Sequence, residues 1–138
     1  MLIEKVTAEW LRDQEFLLRD HNGFPILMSQ PDGVLGADLL PLSLIGCTIW
    51  DVTSILRKQK QDIRGVDVEA RSEREDEAPW RFIKIHIHFR IWGVDVKPEA
   101  VERALRLTEE KYCSVYLTLK PAIALDTTYK ILASEKDD

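Results

Sequence analysis

The chain reads as an α+β domain with the element order βββ-α-ββ-α-(α)-β. Three observations predict it: short period-2 segments fill the first thirty residues, a long helical apolar run starts near Asp38, and a strict alternation covers Ile83 to Ile91. Helical and strand periods therefore come in blocks, which is the pattern of an α+β chain.

The first strand is carried by Val6, Ala8 and Trp10 alternating with Thr7, Glu9 and Leu11, the pattern of a half-buried strand. Arg12-Asp13-Gln14 turns the chain into a second strand, Glu15 to Arg19. Asp20-His21-Asn22-Gly23 is a turn signal, because Asn-Gly accepts positive φ. A third strand, Phe24 to Met28, runs out at Ser29-Gln30-Pro31-Asp32-Gly33.

From Asp38 to Lys60 the pattern is helical. Up to Trp50 it is apolar on every side, through Leu39, Leu40, Leu42, Leu44, Ile45 and Ile49, and only afterwards amphipathic. A helix apolar all round is expected to be buried all round, in a core or against a partner. Pro41 fits the first turn, where a missing N–H is harmless, and this puts Asp38 beside the N-cap. Two strands follow. Val66, Val68 and Ala70 alternate with Asp67, Glu69 and Arg71; Ile83, Ile85, Ile87, Phe89 and Ile91 alternate with Lys84, His86, His88 and Arg90. The run Ser72–Glu77 between them is a charged hairpin tip with no function assigned to it. Lys97-Pro98-Glu99 opens a second helix with the stripe Val101, Ala104, Leu105, Thr108. A short helix from Val115 to Leu119 and a strand from Ile123 to Leu132 complete the order, ahead of a polar tail, Ser134 to Asp138. No linker interrupts the sequence, so residues 1–138 are expected to form one domain.

Composition narrows the function classes. The net charge of −5 argues against nucleic acid or an anionic membrane as the main partner. Met1-Leu2-Ile3-Glu4-Lys5 turns to charge before an export signal could form, and the run Leu39 to Trp50 is broken by polar residues and far too short for a bilayer. A soluble, cytoplasmic protein is expected.

The two cysteines, Cys47 and Cys113, carry what chemistry the sequence holds. In a reducing compartment they are poor candidates for a structural staple, and two thiols alone do not complete a zinc site, so neither a metal nor a cofactor is expected. The plainest alternative is a pair of buried, inert cysteines. Cys47 lies mid-helix beside Gly46, a residue disfavoured there by about 1 kcal/mol. Either something approaches the helix closely at that point or the glycine merely permits tight packing. Cys113 lies where one helix ends and another begins, at a helix–helix corner or at a helix N-terminus that would favour a thiolate. His86 and His88 have metal-compatible spacing, but Lys84 and Arg90 flank them, so the strand is read as a plain polar face.

Read together, Asp38-Leu39-Leu40, Leu44-Ile45-Gly46-Cys47-Thr48 and Asp51-Val52 resemble the central helix of the OsmC/Ohr superfamily, and Glu109-Glu110-Lys111-Tyr112-Cys113-Ser114-Val115 resembles that family's second-cysteine motif. Val94 to Val101 is similar to its entry into the second helix, so the resemblance covers nearly the whole chain. It implies an intertwined homodimer around the long helices. It also implies reduction of organic hydroperoxides, with Cys47 as the peroxidatic nucleophile and Cys113 as the resolving thiol. An external dithiol, a small molecule or a lipoyl- or thiol-bearing protein, would restore the pair, and neither nucleic acid nor membrane is implied as a partner. Two positions depart from the strongly peroxidatic branch. Ala37 stands where that branch has a glutamate, with Asp38 the nearest acid, and Arg12 falls between the first two strands without the expected glycine-rich turn. Asp38 and Arg12 are therefore the candidate substitutes for the family's acid and arginine. A non-catalytic or redox-sensing homodimer with weak turnover is the alternative.

Overall fold

The computed structural model describes residues 1–133, so the polar tail from Ser134 lies outside the described residues. Contacts cluster into two compact units, Met1–Leu40 and Pro41–Asp138.

The N-terminal unit is an antiparallel meander of β1 (Thr7–Arg12), β2 (Glu15–Arg19) and β3 (Pro25–Ser29). Asp13 turns β1 into β2 with φ 43°, and Gly23 turns β2 into β3 with φ 89°. The carboxylate of Asp20 accepts from the backbone N–H groups of Asn22 and Phe24, which closes the second turn. A single 3₁₀ turn, Gly36–Asp38, ends the unit. The alternation in β1 leads to no burial within the chain, since every residue of that strand is exposed and Trp10 is 68% exposed. The strand exists as expected, but its apolar side chains are exposed among the described residues.

The C-terminal unit is built on α1 (Leu39–Lys58), which starts at the end of the N-terminal unit, and a three-stranded sheet. β4 (Asp62–Arg74) and β5 (Phe82–Val94) form a long antiparallel hairpin, and β6 (Ala124–Leu132) adds in parallel to the other edge of β5. A parallel neighbour needs a crossover. Here it consists of α2 (Pro98–Leu107), a π-helical turn (Thr108–Tyr112) and α3 (Ser114–Leu119). One face of the central strand makes the core: Ile85, Ile87, Phe89 and Ile91 are no more than 1% exposed. Ile83, expected in that row, is 50% exposed, because it lies next to the hairpin tip, before the point where β6 begins to pair with β5.

α1 is buried along one stripe only. Leu44, Thr48, Val52 and Leu56 follow one another at four-residue steps and are covered, whereas Leu42 is exposed and Trp50 is 73% exposed. The expected all-round burial is therefore absent from the single chain. The helical segment Gly36–Lys58 is 23 residues long and apolar enough to cross a bilayer by length and composition, which corrects the expectation that it is far too short. That expectation counted only the apolar run to Trp50, while α1 continues as an amphipathic helix to Lys58. Core helices of soluble proteins have the same length and composition, and α1 covers one stripe of its surface within the chain.

Candidate functional site

Cys47 projects from α1 one residue before the buried Thr48, and is itself half-buried. The second thiol is placed by an irregularity. At the end of α2 the N–H of Cys113 bonds the carbonyl of Thr108 at 2.9 Å, a five-residue step in place of the usual four. Thr108 is held there by its hydroxyl, which donates to the carbonyl of Ala104 at 2.8 Å in the core. Cys113 then leaves helical geometry and becomes the N-cap of α3, its Sγ accepting from the N–H of Tyr116 at 3.3 Å. The thiol is completely buried.

These two elements bring Cys47 and Cys113 together with a third group, Asp51. The two sulfurs and a carboxylate oxygen of Asp51 all lie within 4.8 Å of one another. Asp51 follows Cys47 by one helical turn, the spacing that stacks two side chains on one face of a helix. Both cysteines are free thiols, with their sulfurs within 4.8 Å of each other.

Burial pushes the Cys113 thiol from an ordinary 9.0 up to about 12, and the neighbouring Cys47 pushes the same way, while the Tyr116 N–H opposes both. Cys113 therefore keeps its proton at neutral pH, beside the Cys47 sulfur. Burial also raises the Asp51 carboxyl above the usual carboxylate range. The neighbouring Tyr116 hydroxyl is pushed up to about 12, chiefly by burial and then by the charges of Glu109 and Asp126. Two sulfurs and a carboxylate could offer three ligands to a thiophilic cation, which the two cysteines alone could not. Such a cation would have to displace the strongly held proton of Cys113.

The other expected residues lie in the N-terminal unit. Arg12 Nε donates to Glu15 Oε2 at 2.9 Å across the β1–β2 turn, and the Arg12 side chain is 75% exposed. Its charge is thus engaged locally. Asp38 is exposed at the end of the 3₁₀ turn, immediately before α1. Asp51 was quoted in the sequence only as part of the helix pattern; its spacing from Cys47 was the available signal. Gly46 faces open space: among the described residues, beyond its own helical turn, nothing lies within 4 Å of where a Cβ would stand, so neither close approach nor tight packing is seen there. His86 and His88 are tied into the sheet surface. His86 Nδ1 lies 2.8 Å from Asp126 Oδ1, and its Nε2 lies 3.1 Å from Thr128 Oγ1, which leaves no ring nitrogen of His86 for a metal.

A family model described as OsmC-like protein matches residues 30–128, a span that includes both thiols and Asp51. The chain belongs to the OsmC-like family. It is 38% identical to Protein YhfA of Escherichia coli K12 over 130 residues, which covers 92% of this chain and 97% of YhfA. The crystal structure of a hypothetical protein from Aquifex aeolicus is similar at 27% identity and a TM-score of 0.87, covering 98% of this chain and all of that one. An organic hydroperoxide resistance protein OsmC from Legionella pneumophila shares the fold at a TM-score of 0.68 over 94% of this chain and 99% of its own, with 10% identity. The α+β architecture read from the sequence is the OsmC-like one.

Proposed function

We propose that this protein is a soluble, cytoplasmic, thiol-dependent hydroperoxide reductase working as a homodimer. The observation that carries the reading is the pairing of a half-buried Cys47 with a fully buried, protonated Cys113. Such a pair divides the labour. The outer sulfur is reachable by a peroxide, and the inner thiol is kept from it but adjacent to the first.

In the first step the Cys47 thiolate attacks the distal oxygen of a hydroperoxide. The O–O bond breaks, Cys47 becomes a sulfenic acid, and the alcohol leaves. In the second step the Cys113 sulfur attacks the Cys47 sulfur, the S–O bond breaks, water leaves, and a disulfide remains. An external dithiol, a small molecule or a lipoyl- or thiol-bearing protein, returns both thiols by exchange. The exposed apolar side chains Leu42 and Trp50 on α1 support a second copy as the surface that covers this helix.

The test is the intact mass of wild type, Cys47→Ser and Cys113→Ser after brief, substoichiometric cumene hydroperoxide. The reading expects wild type to lose two hydrogens, Cys113→Ser to gain one oxygen, and Cys47→Ser to stay unchanged. Three unreacted proteins would overturn it. A second reading, a redox-sensing homodimer with slow turnover, is favoured by Arg12 being engaged with Glu15 and by Ala37 standing where an acid would be. Stoichiometric oxidation without cycling in the presence of dithiols would select that reading.

A further inference from the structure

We infer that Asp51 is the proton-transfer residue of the dithiol, taking the proton from each attacking sulfur and delivering it to each departing oxygen. The inference rests on the peroxide chemistry proposed above and assigns a residue that the family's acid and arginine positions do not include.

Each of the two steps has the same proton problem. A thiol must lose a proton before it attacks, and an alkoxide or hydroxide must gain one as it leaves. The group that solves both must stand beside both sulfurs. Asp51 does so, with a carboxylate oxygen within 4.8 Å of each, a separation closed by a small rotation or by one bridging water. Its backbone is fixed by the middle of α1, so the carboxylate is aimed by the helix that aims Cys47. Among the described residues no ion pair or hydrogen bond engages Asp51, so its carboxylate is free for the task. Tyr116, also near Cys113, keeps its own proton far above neutral pH and cannot accept one. Burial makes Asp51 a stronger base than an exposed aspartate and a carboxylic acid that holds its proton longer, and both properties serve a shuttle.

The balance is as follows. The Cys47 thiol gives its proton to the Asp51 carboxylate. The thiolate bonds to the distal peroxide oxygen, the O–O electron pair leaves with the alkoxide, and the alkoxide takes the proton back from Asp51 as the alcohol departs. The Cys113 thiol then gives its proton to Asp51. Its sulfur bonds to Cys47, the S–O pair leaves as hydroxide, and Asp51 returns the proton to make water. The carboxylate is regenerated twice, and the hydroperoxide is the only oxidant.

A leaving-group comparison tests this. Sulfenate formation is followed by quenched intact mass in Cys113→Ser and in Cys113→Ser with Asp51→Asn or Asp51→Glu, using tert-butyl hydroperoxide and peracetic acid. tert-Butoxide needs a proton to leave, whereas acetate does not. The expected result for Asp51→Asn is a loss of about 100-fold with tert-butyl hydroperoxide and a markedly smaller loss with peracetic acid, with Asp51→Glu recovering much of the difference. A melting temperature for Asp51→Asn at or above its parent's confirms folding, because burial already disfavours the charged carboxylate. Unchanged rates with both oxidants overturn the inference and leave the peroxide reading standing. An equal loss with both oxidants assigns Asp51 a structural part and also overturns the inference. No oxidation of the parent by either oxidant overturns the peroxide reading, and this inference with it.

Discussion

The Cys113 sulfur lies within 4.8 Å of the Cys47 sulfur, and burial, reinforced by that neighbour, holds the Cys113 proton to about pH 12. The two sulfurs are thus made unequal by their surroundings. At neutral pH Cys113 is a protonated neighbour and Cys47 is the sulfur with access to solvent.

That inequality predicts site-selective alkylation. Reduced protein treated with limiting iodoacetamide at pH 8 should be labelled at Cys47, and Cys113 should react only after unfolding in urea. Peptide mass mapping reads the outcome. Preferential labelling of Cys113 in the native protein would reverse the roles of the two thiols.

A second prediction concerns stability in alkali. The folded thiol of Cys113 titrates near 12 and its ordinary value is 9.0, so the folded state binds the proton more tightly than the unfolded chain. The resulting stability is fully present below about pH 9 and is lost as pH rises from there toward about 12. Urea midpoints of wild type should therefore fall across that window, and the difference from Cys113→Ser should narrow across it. Parallel curves for the two proteins would contradict the cause assigned to the raised thiol.

Gly46 tests the proposed dimer. It is disfavoured mid-helix, yet nothing among the described residues explains it. A second copy packed closely on α1 would. Gly46→Ala should then weaken self-association by about tenfold or more, as overpacking by one methyl of about 1–3 kcal/mol implies, with helix content unchanged. Sedimentation at a series of concentrations checks this. A variant that associates normally and melts higher would show that helix propensity alone acts there and that this face is not the interface.

Gly93 predicts the opposite kind of sensitivity. A Cβ there would overlap the carbonyl oxygen of Asp62 and stand 2.5 Å from Val96 Cγ2. It sits where β5 pairs with the start of β4, just before the chain enters α2. Gly93→Ala should lose about 2–3 kcal/mol in urea denaturation. A loss below about 0.5 kcal/mol would mean that this crowding is relieved by backbone shifts.

Much of the fold was legible because its period is local. β2 runs from Glu15 to Arg19 after the Arg12-Asp13-Gln14 turn, as the sequence indicates, and the row Ile85, Ile87, Phe89, Ile91 is buried as its pattern requires. β1 and α1 were legible as elements but not in what covers them. An apolar side chain such as Trp10 or Trp50 reads identically whether its partner is its own chain or another molecule. The pair of cysteines was reached by resemblance and not by spacing, since proximity across the crossover is a tertiary property. Asp51 is not marked out by the sequence, because a helix brings an acid one turn after Cys47 as close as one before it and the pattern alone does not choose between them. The π-helical turn escaped because Thr108-Glu109-Glu110-Lys111-Tyr112 is an ordinary helix-forming run, and the extra residue has no signature of its own.

That turn separates two demands that a regular helix would tie together. Each residue of an α-helix rotates the next by about 100°, so the stripe of α2 that fits the core would otherwise dictate where every later side chain points. The wider turn at Thr108 absorbs one residue, so Val101, Ala104 and Leu105 keep their seat in the core while Cys113 is aimed independently at α1. Deleting one of Glu109, Glu110 or Lys111 would let an unbroken helix run through this stretch and swing the thiol by roughly a quarter turn. The two sulfurs would part with the hydrophobic core undisturbed, and the reactivity of this pair would have been tuned by chain length alone.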